Sequence, residues 1–172
     1  MLRAYEVVDG RLLVRQQMKV SVGKALDTRT PLFDEDMQYI EFSPYWNVPP
    51  SILRGELLPA LRRDPAYFDR HDFEIVSGQS DGATPVALTP ASVQQLEQGR
   101  LRVRQRPGPN NSLGLVKFVF PNKHAIYLHD TPSKSLFDKD QRTFSSGCIR
   151  VQKPFERAEL VLDDASRWNQ AA

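Results

Sequence analysis

The sequence contains a single cysteine, Cys148. One thiol makes no internal disulfide and no zinc–cysteine cluster, so neither staple can hold this fold. Long apolar runs are also missing. The longest stretch without a charge, Gly82 to Leu96, is rich in Pro, Thr and Gln. A spanning helix needs about 20 mostly apolar residues, so none is expected. The start, MLRAYEVVDGRLLV, has no basic segment followed by an apolar one, so it is no secretory leader. Strand-like sequence directly after Met1 reads instead as part of a longer chain. An excess of one charge is absent too. Basic residues number 23 and acidic residues 21, a net +2 with pI near 8.8. That is too mild to point to nucleic acid. What is present suits one domain carrying an inserted lobe: 172 residues, 40% hydrophobic and 26% charged.

Periodicity places the elements. Arg3–Val8 and Arg11–Val22 are β-rich runs joined by Asp9-Gly10, a hairpin signal. Met37–Phe42 is a further strand candidate, and Pro44, Pro49 and Pro50 then break regular structure. From Ser51 the period becomes helical, with Gly55 and Pro59 weakening or splitting the helix. Asp64-Pro65 and Thr89-Pro90 each read as a cap followed by proline, and Gly99 as a helix stop. Phe73–Val76 is a short strand candidate and Ser77–Leu88 a loop. Val116–Phe120 and Ala125–His129 read as strands around the turn Pro121-Asn122-Lys123. Pro154–Leu162 reads as a terminal helix. The expected class is mainly β (α+β): a β-rich catalytic sheet or sandwich, a helical insertion over residues 51–99, and a C-terminal helix.

Arg100, Arg102, Arg104 and Arg106 alternate along one further strand. Without interleaved aromatics they offer no stacking platform for nucleic acid. They are expected to form a solvated face paired with acidic neighbours.

The chemistry concentrates in Ile126 to Val151. A thiol with pKa of about 8.5 is only a few per cent ionised at neutral pH, so a nucleophilic cysteine needs a base. Histidine is the usual one. His129 ends a strand candidate, and Cys148 follows the small-residue turn Ser145-Ser146-Gly147. Such a turn admits a substrate carbonyl. It also leaves the N–H groups of Gly147 and Cys148 as candidate donors to an oxyanion. The alternative reading is a buried, inert cysteine. His124 and His129, five apart on a strand, face opposite ways, so no metal site with Cys148 is expected. Asp130, adjacent to His129, points away from it on the same grounds. Tyr127 shares the His129 face, to line a substrate or simply to pack. Arg150 either holds a peptide carboxylate or makes a structural ion pair. Trp46 is either core or the wall of a substrate groove.

The order His129, fifteen residues, then Ser145-Ser146-Gly147-Cys148-Ile149-Arg150 resembles the L,D-transpeptidase (YkuD-type) catalytic domain. The strings YLHDTPSKSLF, SGCIRV, WNVP and KFVFPNKHAIYLHD look like its long YcbB-type branch, which carries an extra lobe. The resemblance implies Cys148 as nucleophile, His129 as base and a backbone carbonyl orienting the histidine. It implies peptidoglycan stem peptides as substrate, with Tyr127, Arg150, Ser145, Ser146 and Trp46 as candidate contacts. It also implies 3→3 cross-linking, sensitivity to carbapenems, a periplasmic or cell-envelope location and no cofactor. Water or a lipoprotein lysine as acceptor are variants of the same chemistry. The sequence departs from the family at Ser146, where histidine is usual. A structural replacement is expected there, and a non-catalytic peptidoglycan-binding relative is the competing reading. A papain-like or NlpC/P60-type peptidase has Cys before His, the reverse of this order. The 51–99 lobe, with its glycines and prolines, is expected to act as a lid on the donor site.

Overall fold

The structure, a computed structural model, describes residues 1–24, 26, 28–78, 82–163 and 167. Strands are β1 (Leu2–Val8), β2 (Arg11–Met18), β3 (Val20–Ser21), β4 (Tyr39–Phe42), β5 (Trp46–Asn47), β6 (Phe73–Ser77), β7 (Thr84–Val86), β8 (Arg102–Gln105), β9 (Val116–Val119), β10 (Leu128–His129) and β11 (Ile149–Val151). Helices are α1 (Pro50–Ile52), α2 (Leu58–Arg63), α3 (Tyr67–Arg70), α4 (Pro90–Glu97) and α5 (Pro154–Leu162). The class is mainly β with short helices. Among the described residues, no helix is long and apolar enough to cross a membrane.

The chain forms two compact units, Met1–Phe42 with Leu113–Ala172, and Ser43–Ser112. The first holds a β1–β2 ribbon and a five-stranded sheet ordered β3-β11-β10-β9-β4. The ribbon turns at Asp9 (φ 49°) and Gly10 (φ 73°). Two positive φ values are what a tight two-residue hairpin loop needs, and Asp-Gly supplies them cheaply. In the sheet, β10 and β11 are parallel and the other pairs antiparallel. Val116, Phe118 and Val151 form the buried centre with Met18 and with Ala158 of α5. The terminal helix has the expected bounds, and Pro154 in its first turn suits a position whose N–H is unpaired anyway.

The second unit has a sheet ordered β5-β8-β6-β7 and its own core, including Leu53, Leu57, Leu61, Phe68, Ile75, Leu96 and Val103. It is wider than residues 51–99 and less helical than expected. The difference arises because Trp46–Asn47 pairs with β8 and β8 with β6, so the flanks belong to the lobe's sheet. Within it, a π-helical turn, Leu53–Leu57, joins α1 to α2. Pro59 has no N–H to give the Gly55 carbonyl, and its ring crowds that carbonyl, so the helix widens just before it. Thr89 caps α4 by a reciprocal bond with Ser92, and Gly99 ends that stretch at φ 72°.

Three expectations need correction. The Ala125–His129 strand is reduced to Leu128–His129. The Asn122 side chain accepts from the His124 and Ile126 N–H groups and donates to the Phe120 and Ile126 carbonyls. That amide takes the backbone groups a ladder would use, and Ala125 adopts φ 51°. The Ser77–Leu88 loop contains β7, paired with β6, while residues 79–81 lie outside the described residues. The arginine face is not solvated throughout. Arg104 is buried, ion-paired to Glu74 at 2.6 Å and stacked 4.1 Å over Tyr45. Arg102 donates to Asn47 at 2.7 Å, and Arg106 pairs with Asp72 at 3.3 Å. These arginines tie strands of the lobe together.

Candidate active site

The five-stranded sheet separates its two faces by the period-2 rule. Ile40, Phe118, Leu128, Ile149 and Val20 face the core with α5. The opposite face carries a row of in-register residues: Glu41, Lys117, His129, Arg150 and Ser21. Tyr127 and Cys148 lie one residue before β10 and β11. The Ile149 N–H donates to the Tyr127 carbonyl at 2.9 Å, which sets them side by side. By parity they share the face of His129 and Arg150. His129 stands opposite Arg150 in the parallel pair, and Cys148 lies two residues before Arg150.

His129 is buried, with 4% exposure. Its Nδ1 lies 2.5 Å from the Asp130 carbonyl oxygen. A carbonyl only accepts, so Nδ1 carries the hydrogen and Nε2 keeps its lone pair. Burial pulls the His129 pKa down to about 4, assisted by the Arg150 charge. The Asp130 carbonyl, the Asp130 charge and a Leu113 backbone bond oppose it. The ring is neutral at pH 7. The Asp130 carboxylate is engaged elsewhere: it accepts from the Leu115 N–H at 3.0 Å and pairs with the Lys134 ammonium. The histidine's orienting group is a backbone carbonyl.

Cys148 is half-buried, and its Sγ lies 3.9 Å from the Ala125 carbonyl oxygen. Burial raises its pKa, while a Tyr127 backbone bond and the Arg150 and Lys117 charges pull it back. The thiol is therefore protonated at neutral pH. The sulfur's hydrogen-bond partner is the Ala125 carbonyl.

The turn before Cys148 is tightly built. The Ser145 hydroxyl accepts from the Gly147 N–H at 3.2 Å and donates to the Cys148 carbonyl at 2.5 Å. Gly147 sits at φ 123°, a conformation side chains avoid. One expectation changes here. The Gly147 N–H is occupied by Ser145, so it is not a free oxyanion donor. Ser145 is buried with its hydroxyl committed to the turn, where it supports the backbone around Cys148. Ser146 is exposed.

Among the other candidates, Tyr127 is half-buried under the Lys117 ammonium, 4.6 Å from its ring centre. Lys117 also pairs with Glu41 at 3.0 Å. Arg150 is half-buried, and its Nε has no hydrogen-bond partner among the described residues. Trp46 belongs to the other unit, where it is partly buried against that core, 6.1 Å from Phe73. Lys117 and Glu41 escaped the sequence reading, although strand parity with His129 was a usable signal. Thr28 and Thr30, which bond to the cysteine turn, left no signal in a polar loop.

A family model, the YkuD L,D-transpeptidase catalytic domain, matches residues 2–166. A Haemophilus influenzae protein named "Putative L,D-transpeptidase" is 33% identical over 162 residues, covering 94% of this chain and 32% of its own length. The chain thus spans about a third of that relative. With that family model spanning nearly the whole chain, the chain belongs to the YkuD family of L,D-transpeptidase catalytic domains.

Proposed function

We propose that this chain catalyses L,D-transpeptidation on peptidoglycan, with Cys148 as nucleophile and His129 as base. The observation that supports the reading is the bond from His129 Nδ1 to the Asp130 carbonyl, made on the strand that pairs with the residues directly after Cys148. Sγ attacks the carbonyl between the L-centre of a diamino acid and the terminal D-Ala of a tetrapeptide stem. Nε2 takes the thiol proton as the C–S bond forms. The tetrahedral oxygen is held by the Cys148 N–H. The C–N bond then breaks, the proton passes from His129 to the leaving amine, and D-Ala departs. A side-chain amine of a second stem attacks the thioester, gives its proton to His129, and regenerates the thiol with a 3→3 cross-link. Arg150, half-buried in the same row as His129, is the group for a stem carboxylate, and Tyr127 flanks the donor. Ser146 is a structural replacement for the family's second histidine. The substrate places the reaction in the periplasm or cell envelope.

Two variants differ only in the acceptor: water gives an L,D-carboxypeptidase, and a lipoprotein lysine gives an attachment enzyme. A purely binding module is disfavoured, because binding needs neither a thiol nor an oriented neutral imidazole.

Intact mass after incubation with a carbapenem tests the acylation step. The wild type should gain one adduct and Cys148→Ala none. An adduct on Cys148→Ala moves the nucleophile elsewhere. A wild type that forms neither an adduct nor dimeric stem peptides removes the reading.

A further inference from the structure

The cysteine turn is held from outside by the loop after β3. The Ser145 N–H donates to the Val22 carbonyl at 3.0 Å, and Gly23 forms a parallel bridge with Ser145. Two threonines complete the contact. The Thr28 hydroxyl accepts from the Lys24 N–H at 3.0 Å and donates to the Ser145 carbonyl at 3.0 Å. The Thr30 hydroxyl accepts from the Gly23 N–H at 3.1 Å and donates to the Gly147 carbonyl at 2.7 Å. Each hydroxyl has one bond in and one out, so its direction is fixed. The loop comes in so close that a Cβ on Gly23 would lie 1.7 Å from the Thr28 carbonyl oxygen and 3.1 Å from the Gly147 Cα.

Peptide planarity gives these bonds a consequence. In a trans peptide, C=O and the following N–H lie in one plane and point opposite ways. No cis bond occurs among the described residues. Fixing the Gly147 carbonyl therefore fixes the Cys148 N–H, and fixing the Ser145 carbonyl fixes the Ser146 N–H. Both N–H groups are turned away from the threonine loop. The intervening Gly147 N–H is already taken by Ser145. We propose that Thr28 and Thr30 are positioning residues, whose hydroxyls lock two peptide planes so that the Cys148 and Ser146 N–H groups form the oxyanion site. The proposal rests on the acyl-transfer reading above. Preorganised donors stabilise developing charge without reorganising at the moment of reaction, so a donor free to rotate loses much of its effect.

The test compares two reactions at the same sulfur. Acylation by a carbapenem develops an oxyanion, whereas alkylation by iodoacetamide does not. With one cysteine in the chain, both are read at Cys148 by intact mass. Thr30→Val keeps the branched shape and removes the hydroxyl. Its acylation rate should fall at least about 10-fold, short of the roughly 10²–10³-fold cost of deleting a donor. Its alkylation rate and pH profile should hold, and Thr30→Ser should recover most of the acylation. Thr28→Val should show the same split more weakly, and it carries the comparison if Thr30→Val does not fold. Equal losses in acylation and alkylation, or wild-type acylation in both valine variants, would overturn the proposal while leaving Cys148 as nucleophile. A wild type that alkylates normally but is never acylated removes the acyl-transfer reading instead.

Discussion

At the residue scale, the clearest physical signature is the neutral state of His129. Its folded pKa of about 4 lies below its ordinary value of 6.5. Between those values the unfolded chain binds a proton that the folded chain does not. Stability therefore rises with pH through that window, is complete above about 6.5, and is lost as pH falls toward 4. The shift corresponds to on the order of 3 kcal/mol. Urea denaturation at pH 7 and at pH 4.5 should show a loss of that order. His129→Gln keeps a donor for the Asp130 carbonyl and should flatten the slope. A wild type equally stable at both pH values would contradict the assignment. This state was only partly legible in the sequence. The spacing of His129 and Cys148, and the small turn between them, pointed to the pair. The carbonyl that orients the ring was implied by the family resemblance alone, because every residue type carries one and no side chain marks it. Nor was the loss of the Gly147 N–H, since a serine two residues earlier can face solvent as easily as its own turn.

At the scale of elements, the site depends on short strands held by loops. β10 has two paired residues, too few for alternation to reveal. Its neighbours β9 and α5 were readable because four and nine residues repeat a pattern, whereas Asn122 broke the pattern before Leu128. The far end of β10 is secured by the Asp130 carboxylate on the Leu115 N–H. That contact requires Gly114. It sits at φ 65°, and a Cβ there would lie 2.4 Å from the Asp130 side chain. Gly114→Ala therefore combines left-handed strain with a collision against a buried carboxylate. It should cost about 1–3 kcal/mol of stability. The same displacement moves the Asp130 peptide that orients His129, so acylation of Cys148 should slow in the fraction that remains folded. Thermal unfolding and adduct formation measured on the same sample test both halves. An alanine variant as stable as the wild type would mean that the loop relaxes freely and that Asp130 does not tether the strand.

At the scale of the whole molecule, each of the two units carries its own buried cluster, one around Phe118 and the other around Phe68. The size of the lobe was underestimated from sequence because β5 and β8 are extended, while the helical period between them drew the boundary. At 43–112 the unit is long enough to fold around its own core, unlike a segment of about fifty residues. A core substitution should then act mainly on the unit that holds it. Phe68 is 2% exposed, and truncating a buried phenylalanine costs about 3–5 kcal/mol. Phe68→Ala should melt the lobe well below the rest of the chain and leave iodoacetamide alkylation of Cys148 at its wild-type rate while the other unit stays folded. Hydrogen exchange should show early opening confined to residues such as Ile75 and Val103, with Val116 and Val151 still protected. Coincident loss of protection in both sets would show one cooperative unit instead.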